Sequence, residues 1–262
     1  MSAVTADPHP AAVAAAAKHG VVLGEDAPIM EVMSTMRAMR KLKPDPVPRE
    51  LLERLVEAAT WAPSAGNTQT YGFVIVDDRE TMAKCGRIWR RQQRFYSRAQ
   101  EPLVPEFTTA EKWTKVHDAL RHQAAHFDDT PALIVFTYDF TGTVITKMVK
   151  GLRHTLAGCV AVGPVGTLKM LPNLVRFFST GEAASIYPAV ENTLLAARAH
   201  GLAACLTTWH TIYEPDWRRA LGLKRGTKIY CVVPVGWPEG KFGPVARRPV
   251  ADVVRYTGTA TG

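Results

Sequence analysis

Hydrophobic residues recur every three or four positions in several stretches of this chain, which is the spacing of an amphipathic helix. Together with the prolines that interrupt it, this pattern predicts helices over about residues 29–41, between Pro48 and Pro63, over 78–99 and 109–127, and between Ser185 and Gly201. The second of these is the clearest, because Leu51, Leu55 and Ala59 share one stripe. Ser185 can cap the last helix, and Gly201 is placed to end it.

Short runs of β-branched and aromatic residues predict strands. The runs lie at residues 73–76, 132–138, 202–208 and 228–235. The residues between 139 and 184 show no clear pattern, and the tail after 235 is expected to be extended and pinned to a surface. No internal repeat is found. The simplest organisation is one α+β domain over residues 26–262, preceded by a flexible arm over residues 1–25.

Composition and charge narrow the class of protein. The chain has 262 residues, 47% of them hydrophobic, which suits a folded, soluble protein with a sizeable core. Lysine and arginine outnumber aspartate and glutamate by 32 to 24, and the resulting charge of +8 favours an anionic partner. A phosphorylated cofactor, nucleic acid and a membrane surface all fit this sign. The four cysteines are widely spaced without a CxxC pair, so we expect a cytoplasmic protein.

Targeting and membrane signals are weak in this sequence. The N-terminal residues lack a basic region before their alanines, so a secretory signal is not expected. The longest apolar run, residues 156–168, is interrupted by glycine and proline and is shorter than the roughly 20 residues that a membrane span needs. We therefore expect no membrane anchor and no membrane partner.

Arginine pairs and carboxamides supply the candidate chemistry. The arginine pairs are Arg37 with Arg40 in the predicted first helix and Arg247 with Arg248 in the tail. Guanidinium groups bind phosphate with two parallel hydrogen bonds, so pairs that meet on folding can hold a phosphate. Asn67 and Gln69 lie between a helix and a strand, and an amide both donates and accepts hydrogen bonds. This suits a flat heterocycle, and the combination indicates a nucleotide-like cofactor.

Four blocks occur in a fixed order along the chain. The first is Arg-Ala-Met-Arg-Lys-Leu-Lys-Pro-Asp-Pro at residues 37–46, and the second is Ala-Pro-Ser-Ala-Gly-Asn-Thr-Gln at residues 62–69. A helix followed by Gly201-Leu202 and a strand is the third, and Arg247-Arg248-Pro249 is the fourth. Together these blocks resemble the FMN-dependent nitroreductases. The resemblance covers residues 30–81 and 183–255 and leaves 83–180 largely unmatched.

The resemblance implies a fold and a cofactor. The fold is α+β, with a mixed β-sheet flanked by helices, in an interlocked homodimer that binds FMN at the subunit interface. The residues implied to bind FMN are Arg37, Ala38, Arg40, Pro63, Ser64, Asn67, Gln69, Thr207, Thr208, Arg247 and Arg248. Arg37, Arg40 and Arg247 would hold the phosphate, and Arg248 would assist them. Ala38 stands where the family usually has a serine, which removes one hydroxyl donor.

The other implied residues surround the flavin ring. Asn67 and Gln69 would address the ring, and Pro63 with Ser64 would approach it from the other subunit. The remaining pair, Thr207 and Thr208, would lie near its redox-active edge. Because the flavin N5 carries the chemistry, no catalytic side chain is expected.

The implied activity is that of an FMN-dependent NAD(P)H oxidoreductase of the nitroreductase type. NADPH or NADH, or else a deazaflavin, would pass a hydride to the flavin, and a nitroaromatic or quinone acceptor would then take it in a ping-pong reaction. The alternative is a non-catalytic protein that stores flavin or senses redox state, in which residues 83–180 cover the flavin. GxSxG, GxGxxG and Walker A motifs are absent from the sequence.

Two further patterns have simpler interpretations. Residues 84–98 place Arg87, Arg91, Arg94 and Arg98 on one helical face with interleaved aromatic residues, which is typical of nucleic-acid binding. We favour an exposed amphipathic helix or a lid over the donor's phosphates, and expect no nucleic-acid partner. His117, His122 and His126 occupy neighbouring turns, and the last two have the i, i+4 spacing of metal ligands. Without the glutamate of HExxH, we expect solvated histidines and no metal.

Overall fold

The computed structural model describes residues 23–106, 108–139 and 149–257. The predicted arm over residues 1–25 lies almost wholly outside these ranges. The helices are α1 (Ile29–Thr35), α2 (Arg49–Thr60), α3 (Arg79–Gln100), α4 (Ala110–Ala125), α5 (Leu152–Met170), α6 (Leu174–Ala199) and α7 (Glu214–Ala220). The strands are β1 (Tyr71–Val76), β2 (Ala132–Asp139), β3 (Ala203–Ala204) and β4 (Thr227–Gly236). The organisation of residues 26–262 as one domain stays a prediction.

The four described strands form one sheet in the order β1-β2-β4-β3. Val74 of β1 lies opposite Val135 of β2, and Val135 in turn lies opposite Val232 of β4. The prediction of an α+β fold with a sheet flanked by helices is confirmed. Each of these strand pairs is antiparallel, whereas the resemblance implies a mixed sheet.

Each face of the sheet is covered by a separate apolar cluster, because successive strand residues face opposite sides. Ile134 and Phe136 pack on one side with Leu52 of α2 and Val190 of α6. The opposite side carries residues of β1, β2 and β4 together with residues of α3, α4 and α7: Val76, Leu133, Val135, Val232, Met82, Trp89, Ala124 and Trp217. The two buried faces fix the positions of the loops at the sheet's ends.

A β-bulge interrupts the pairing of β2 with β4. Phe136 pairs with Cys231 and Thr137 with Ile229, so Tyr230 has no partner across the ladder. The extra residue turns the following side chains of β4 to the opposite face of the sheet. Ile229, before the bulge, belongs to one apolar cluster, and Cys231, after it, belongs to the other. Bulges of this kind commonly redirect a side chain beside a functional site.

The first helix is shorter than predicted. It ends at Thr35 rather than near residue 41, and Met36 is already extended, with φ −68° and ψ 123°. The chain then pairs with a distant segment, since the backbone N–H of Lys43 donates to the carbonyl oxygen of Trp237 (2.8 Å). Arg37, Ala38 and Arg40 therefore lie on an extended segment and not on a helix.

Two predictions near α6 are also wrong. Ser185 lies inside α6 instead of capping it, and its hydroxyl donates to the carbonyl oxygen of Gly181 (2.8 Å). The strand predicted over residues 202–208 is reduced to β3 and an isolated bridge between Thr207 and Val232. Gly201 does end the helix, as predicted, with a φ of 75° that glycine adopts without strain.

Within the poorly patterned middle of the chain, residues 152–170 form α5 and residues 174–184 form the first part of α6. The helical stretch from Leu152 to Asn173 has 22 residues and a mean hydropathy of 1.2, and none of it is buried. By length and composition alone, this stretch could cross a membrane. It is longer than the run over residues 156–168 on which the expectation of no membrane anchor was based.

Candidate functional site

The loop between α2 and β1 contains both carboxamides that the sequence analysis selects, and its backbone is strained. Gly66, Asn67 and Gln69 have positive φ angles of 59°, 51° and 47°. Glycine adopts this conformation freely and asparagine tolerates it, but for glutamine it is unfavourable by about 1–2 kcal/mol. Among the residues that the structure describes, Asn67 and Gln69 are the two non-glycine residues with a positive φ. Such strain is concentrated at functional sites.

Hydrogen bonds hold the loop in this conformation. The backbone N–H of Asn67 donates to the carbonyl oxygen of Ser64 (2.9 Å), and that of Gln69 donates to Ser64 Oγ (3.2 Å). The side-chain Nε2 of Gln69 donates to Oδ1 of Asn67 (3.2 Å). The backbone N–H of Ala65 donates to Oγ of Ser185 (3.0 Å), which ties the loop to α6.

The two carboxamides keep groups available for a ligand. Both side chains are exposed, and Nδ2 of Asn67 and Oε1 of Gln69 have no protein partner within the described ranges. One donor and one acceptor therefore remain, which suits a planar heterocycle with a complementary edge. Exposed Pro63 and half-buried Ser64 belong to the same loop, so these four predicted residues share one segment.

A second group of predicted residues surrounds a cavity of about 190 Å³, hereafter the Arg40 cavity. Arg40, Thr207 and Thr208 line it together, although they are distant in sequence. The remaining wall is largely aromatic and apolar, and it contains Trp89, Tyr96, Val116, Leu120, Gln123, Cys205, Leu206 and Trp209. Thr207 is fixed by two backbone hydrogen bonds with Val232, each 3.0 Å long. The structure thus places one guanidinium and two threonines at a single concave surface.

Two buried polar side chains, Cys205 and Gln123, also line the Arg40 cavity. Burial raises the pKa of the Cys205 thiol, and the positive charge of Arg40 opposes that rise. The amide of Gln123 donates to the sulfur of Cys205 (3.8 Å), but its Oε1 is buried without a partner in the described part of the chain. A buried acceptor without a partner carries a free-energy cost, which a donor on a bound ligand would remove.

The C-terminal tail lies beside the end of α1. The backbone N–H of Val245 donates to the carbonyl oxygen of Ser34 (3.0 Å), and the Arg198 guanidinium lies 4.1 Å from the centre of the Phe242 ring. This brings the tail near the segment that carries Arg37. The tail is pinned to a surface, as predicted.

The four arginines are not all brought together. Arg37, Arg247 and Arg248 are exposed and Arg40 is half-buried. The Arg247 guanidinium donates to the carbonyl oxygen of Ala246 (2.9 Å), and Arg40 is the one of the four that lines the Arg40 cavity. None of the four has an acidic partner among the residues described, so each is available to an anion. Ala38 is exposed on the same segment as Arg37.

One polar cluster was missed by the sequence analysis. Glu182 of α6 is buried, accepts a hydrogen bond from Nζ of Lys228 (2.7 Å), and also accepts one from the hydroxyl of Tyr230. Burial raises the pKa of Tyr230, and its bond to Glu182 raises it further. The ring of Tyr187 lies 6.3 Å from that of Tyr230. The bulge that places Tyr230 there has no local sequence signal.

The arginine-rich helix has the exposed face that the sequence analysis favours. Arg87, Arg91, Arg94 and Arg98 are all exposed on α3. The interleaved Trp89 is buried and stacks on Phe127, with ring centres 4.7 Å apart. Trp89 therefore belongs to the core, whereas Phe95 on the same helix is 59% exposed. His117 is buried instead of solvated, and the described residues contain no cluster of metal-ligand type.

Comparisons with known proteins extend these observations. A rat (Rattus norvegicus) protein named iodotyrosine deiodinase 1 is 26% identical over 231 residues, which cover 87% of this chain and 68% of that protein. A solved structure of iodotyrosine deiodinase bound to FMN and 3-iodo-L-tyrosine has a TM-score of 0.60 and 17% identity, and the match covers 88% of this chain and 100% of that chain. An FMN- and NADPH-dependent nitroreductase from Sphigopyxis sp. strain HMH has a TM-score of 0.55 and 17% identity over 88% and 100% of the two chains. The structural likenesses establish the fold.

A family comparison covers most of the chain. The family described as the nitroreductase family matches residues 34–162 and 176–237. The match reaches much of the region that the sequence analysis left unmatched, and it omits residues 163–175. It stops before Arg247 and Arg248. This chain therefore belongs to the nitroreductase family.

Proposed function

We propose that this protein binds FMN and acts as an oxidoreductase that takes electrons from a reduced nicotinamide. The strained loop carries the proposal, because Gln69 is held in an unfavourable conformation beside Asn67 while one donor and one acceptor stay free. A heterocycle that bonds to these groups accounts for the retention of that strain. The FMN bound in the structurally similar deiodinase supports the identity of the cofactor.

The residues present fit such a cofactor. Arg37 and Arg40 lack carboxylate partners in the part of the chain described, so they can hold a phosphate, with Arg247 and Arg248 as further candidates from the tail. Thr208 offers a hydroxyl at the Arg40 cavity. When bound, FMN would supply the two-electron redox chemistry, and the protein would supply orientation, charge and exclusion of water.

The site is proposed to be completed by a second copy of the chain. Apolar side chains are exposed around α1 and the end of α2, including Ile29, Met30, Met33 and Trp61. Ile29 and Trp61 also line an apolar cleft of about 510 Å³ with Leu195 of α6. Burial of this surface in a homodimer would remove it from water and bring Pro63 and Ser64 to the partner's flavin. A monomer in sedimentation velocity would contradict the dimer.

The proposal also specifies an electron donor, an acceptor and a cellular compartment. NADPH or NADH is the proposed donor, with a deazaflavin as the alternative, and the acceptor is a small nitroaromatic or quinone. The exposed arginines of α3 provide charges that the phosphates of such a donor could meet. Four unpaired cysteines support a reducing, cytoplasmic location.

A second candidate is reductive removal of a halogen from an aromatic substrate. The rat relative, named as a deiodinase, matches across 87% of this chain, which favours this activity over other uses of the fold. The third possibility, a non-catalytic protein that stores flavin or senses redox state, shares the same cofactor site and differs only in turnover.

Anaerobic half-reactions separate these possibilities. Purified, flavin-loaded protein is mixed with NADPH, NADH or a reduced deazaflavin, and the loss of visible flavin absorbance is followed. Reoxidation is then followed after addition of a quinone, a nitroaromatic or 3-iodo-L-tyrosine. We expect a nicotinamide to reduce the flavin and the quinone or nitroaromatic to reoxidise it. Failure of every donor would contradict the enzyme proposal, and reoxidation by the iodinated amino acid alone would favour the dehalogenase.

A further inference from the structure

Helix α5 exposes apolar side chains on every side. Those more than half exposed are Leu152, Leu156, Val160, Val162, Val165 and Leu168. Val160 is 81% exposed and Leu168 is 70% exposed, and the described residues of α5 include no buried one. A helix that is apolar all round is normally enclosed by protein or lipid. The described part of the chain does not enclose this one.

The helix and its flanks carry charges of a single sign. From residue 149 to residue 181 the sequence contains no aspartate or glutamate, while Lys150, Arg153, Lys169 and Arg176 are all basic. All four are exposed, and none has an acidic partner among the residues described. The surface that this apolar helix offers is therefore complementary to a layer of negative charge.

A sharp bend divides α5 into two short arms. Gly163 has φ 72° and ψ 172°, Pro164 follows it, and the hydroxyl of Thr167 donates across the bend to the carbonyl oxygen of Cys159 (3.0 Å). Residues of both arms line an open apolar cleft of about 590 Å³. At about 1.5 Å per residue the longer arm reaches roughly 16 Å, about half the hydrocarbon thickness of a bilayer. This geometry suits entry into one leaflet and not a complete crossing.

We propose that α5 inserts into the surface of a bilayer that contains anionic lipids. Its apolar side chains would lie among acyl chains, and Lys150, Arg153, Lys169 and Arg176 would lie against the phosphate headgroups. The family comparison omits residues 163–175, which include the bend and the second arm, while the first arm lies within the matched residues. The proposal revises the expectation of no membrane partner, which was based on a shorter apolar run.

A second copy of the chain is a less suitable occupant. In a twofold contact through α5, the four cations of each copy would face those of the other without an intervening carboxylate. Like charges brought together in this way oppose association. An anionic lipid surface removes the same apolar area from water and also neutralises the charges.

Vesicle flotation tests the proposal with the full-length, flavin-loaded protein. We expect flotation with vesicles of phosphatidylcholine and phosphatidylglycerol at low salt. Binding should weaken more than about tenfold on phosphatidylcholine alone, and it should also weaken as salt rises. Absence of binding to the mixed vesicles at low salt would overturn the proposal.

Substitutions in α5 test whether this helix is responsible for the binding to vesicles. Val160→Asp with Leu168→Asp should abolish flotation, and Lys169→Glu with Arg176→Glu should reduce binding to the anionic vesicles selectively. Leu103→Asp, at a position 61% exposed outside α5, should bind as the wild type does. Unchanged flotation of the α5 variants would overturn the assignment. The assignment would also be overturned if the wild type formed assemblies larger than a dimer and these variants did not, because α5 would then bind other copies of the chain.

Discussion

At the scale of single residues, Gln69 combines a stability cost with an available ligand group. Its φ of 47° favours glycine, yet its side chain reaches Asn67 and leaves Oε1 free. We expect Gln69→Gly to raise the free energy of unfolding by about 1 kcal/mol, because the strain is relieved. The same change should weaken FMN binding about tenfold, because a ring contact is lost. Denaturant unfolding of the flavin-free protein and flavin titration measure the two effects.

Thr68 provides the matched control in the same loop. Its φ of −73° is ordinary, so Thr68→Gly relieves no strain and should lower the free energy of unfolding by about 0.5–1 kcal/mol. If Gln69→Gly destabilised the protein as Thr68→Gly does, or bound FMN as tightly as the wild type, the functional interpretation of the strain would be wrong.

Arg40 is expected to contribute through the phosphate of the cofactor. Arg40→Gln should weaken FMN binding by roughly 10–100-fold, since a hydrogen bond to a charged group is worth about 1.5–3 kcal/mol. Riboflavin has no phosphate, so its affinity should not change. Arg87→Gln, on the exposed face of α3, serves as the control. Equal losses for FMN and riboflavin in isothermal titration would exclude the phosphate role.

The sequence located these residues better than it described their surroundings. The order of the motif predicted that Asn67 and Gln69 belong to one loop, because both lie within eight consecutive residues of a single block. The positive φ of Gln69 could not be predicted, since glutamine rarely adopts this conformation, and the bond from Ala65 to distant Ser185 that ties the loop to α6 has no local sequence signal. The methionine spacing continues past Thr35 and so predicts a helix at Arg40. The pairing of Lys43 with Trp237 overrides that local pattern.

At the scale of elements, close approach of α3 to the turn after α4 depends on Gly86. A Cβ at this position would lie 1.8 Å from Oδ1 of Asp128, which accepts a hydrogen bond from Arg90 (3.0 Å). We therefore expect Gly86→Ala to lower the free energy of unfolding by about 1–3 kcal/mol. Gly158→Ala in α5 meets no atom within 4 Å and should cause no loss. Thermal unfolding of both variants provides the comparison, and equal stabilities would contradict the packing.

A buried histidine in the turn before α7 contacts β4, and it should make the free energy of unfolding depend on pH. His210 is buried, its Nε2–H donates to the carbonyl oxygen of Ile229 (2.6 Å), and burial lowers the pKa of its imidazole. As pH falls below about 6.5, the unfolded chain binds a proton that the folded chain refuses. The free energy of unfolding should therefore decrease as pH falls.

His210→Gln keeps a donor for Ile229 but does not titrate. Its melting temperature should fall less steeply than that of the wild type between pH 7 and pH 5. Identical slopes for the wild type and His210→Gln would remove this histidine as the cause. Melting temperatures measured by circular dichroism at several pH values supply the test.

Predictions of elements succeeded where the pattern is local and failed where a distant contact decides. The stripe of Leu51 and Leu55 predicted α2 because the same residues that set the helical period also fill the core. Ser185 resembles an N-cap by residue type, yet α6 continues through it and even through Pro188. The bulge at Tyr230 depends on the register of β4 against β2, which no single segment encodes.

At the scale of the whole molecule, the sheet separates two apolar clusters. The loop with Asn67 and Gln69 precedes β1, while the Arg40 cavity joins an extended segment to the turn after β3. Exposed apolar surface around Trp61 supports a second copy there, and that of α5 supports lipid. The two surfaces are separate, so a variant of α5 that no longer binds membranes should still bind FMN.

The most direct measurement is the visible absorbance of the purified protein, followed by mass spectrometry of the chromophore released on denaturation. We predict a yellow protein that releases FMN, or a colourless one that becomes yellow and retains FMN after incubation with it. A colourless protein that retains no FMN under these conditions would contradict the proposed cofactor and the activity that depends on it.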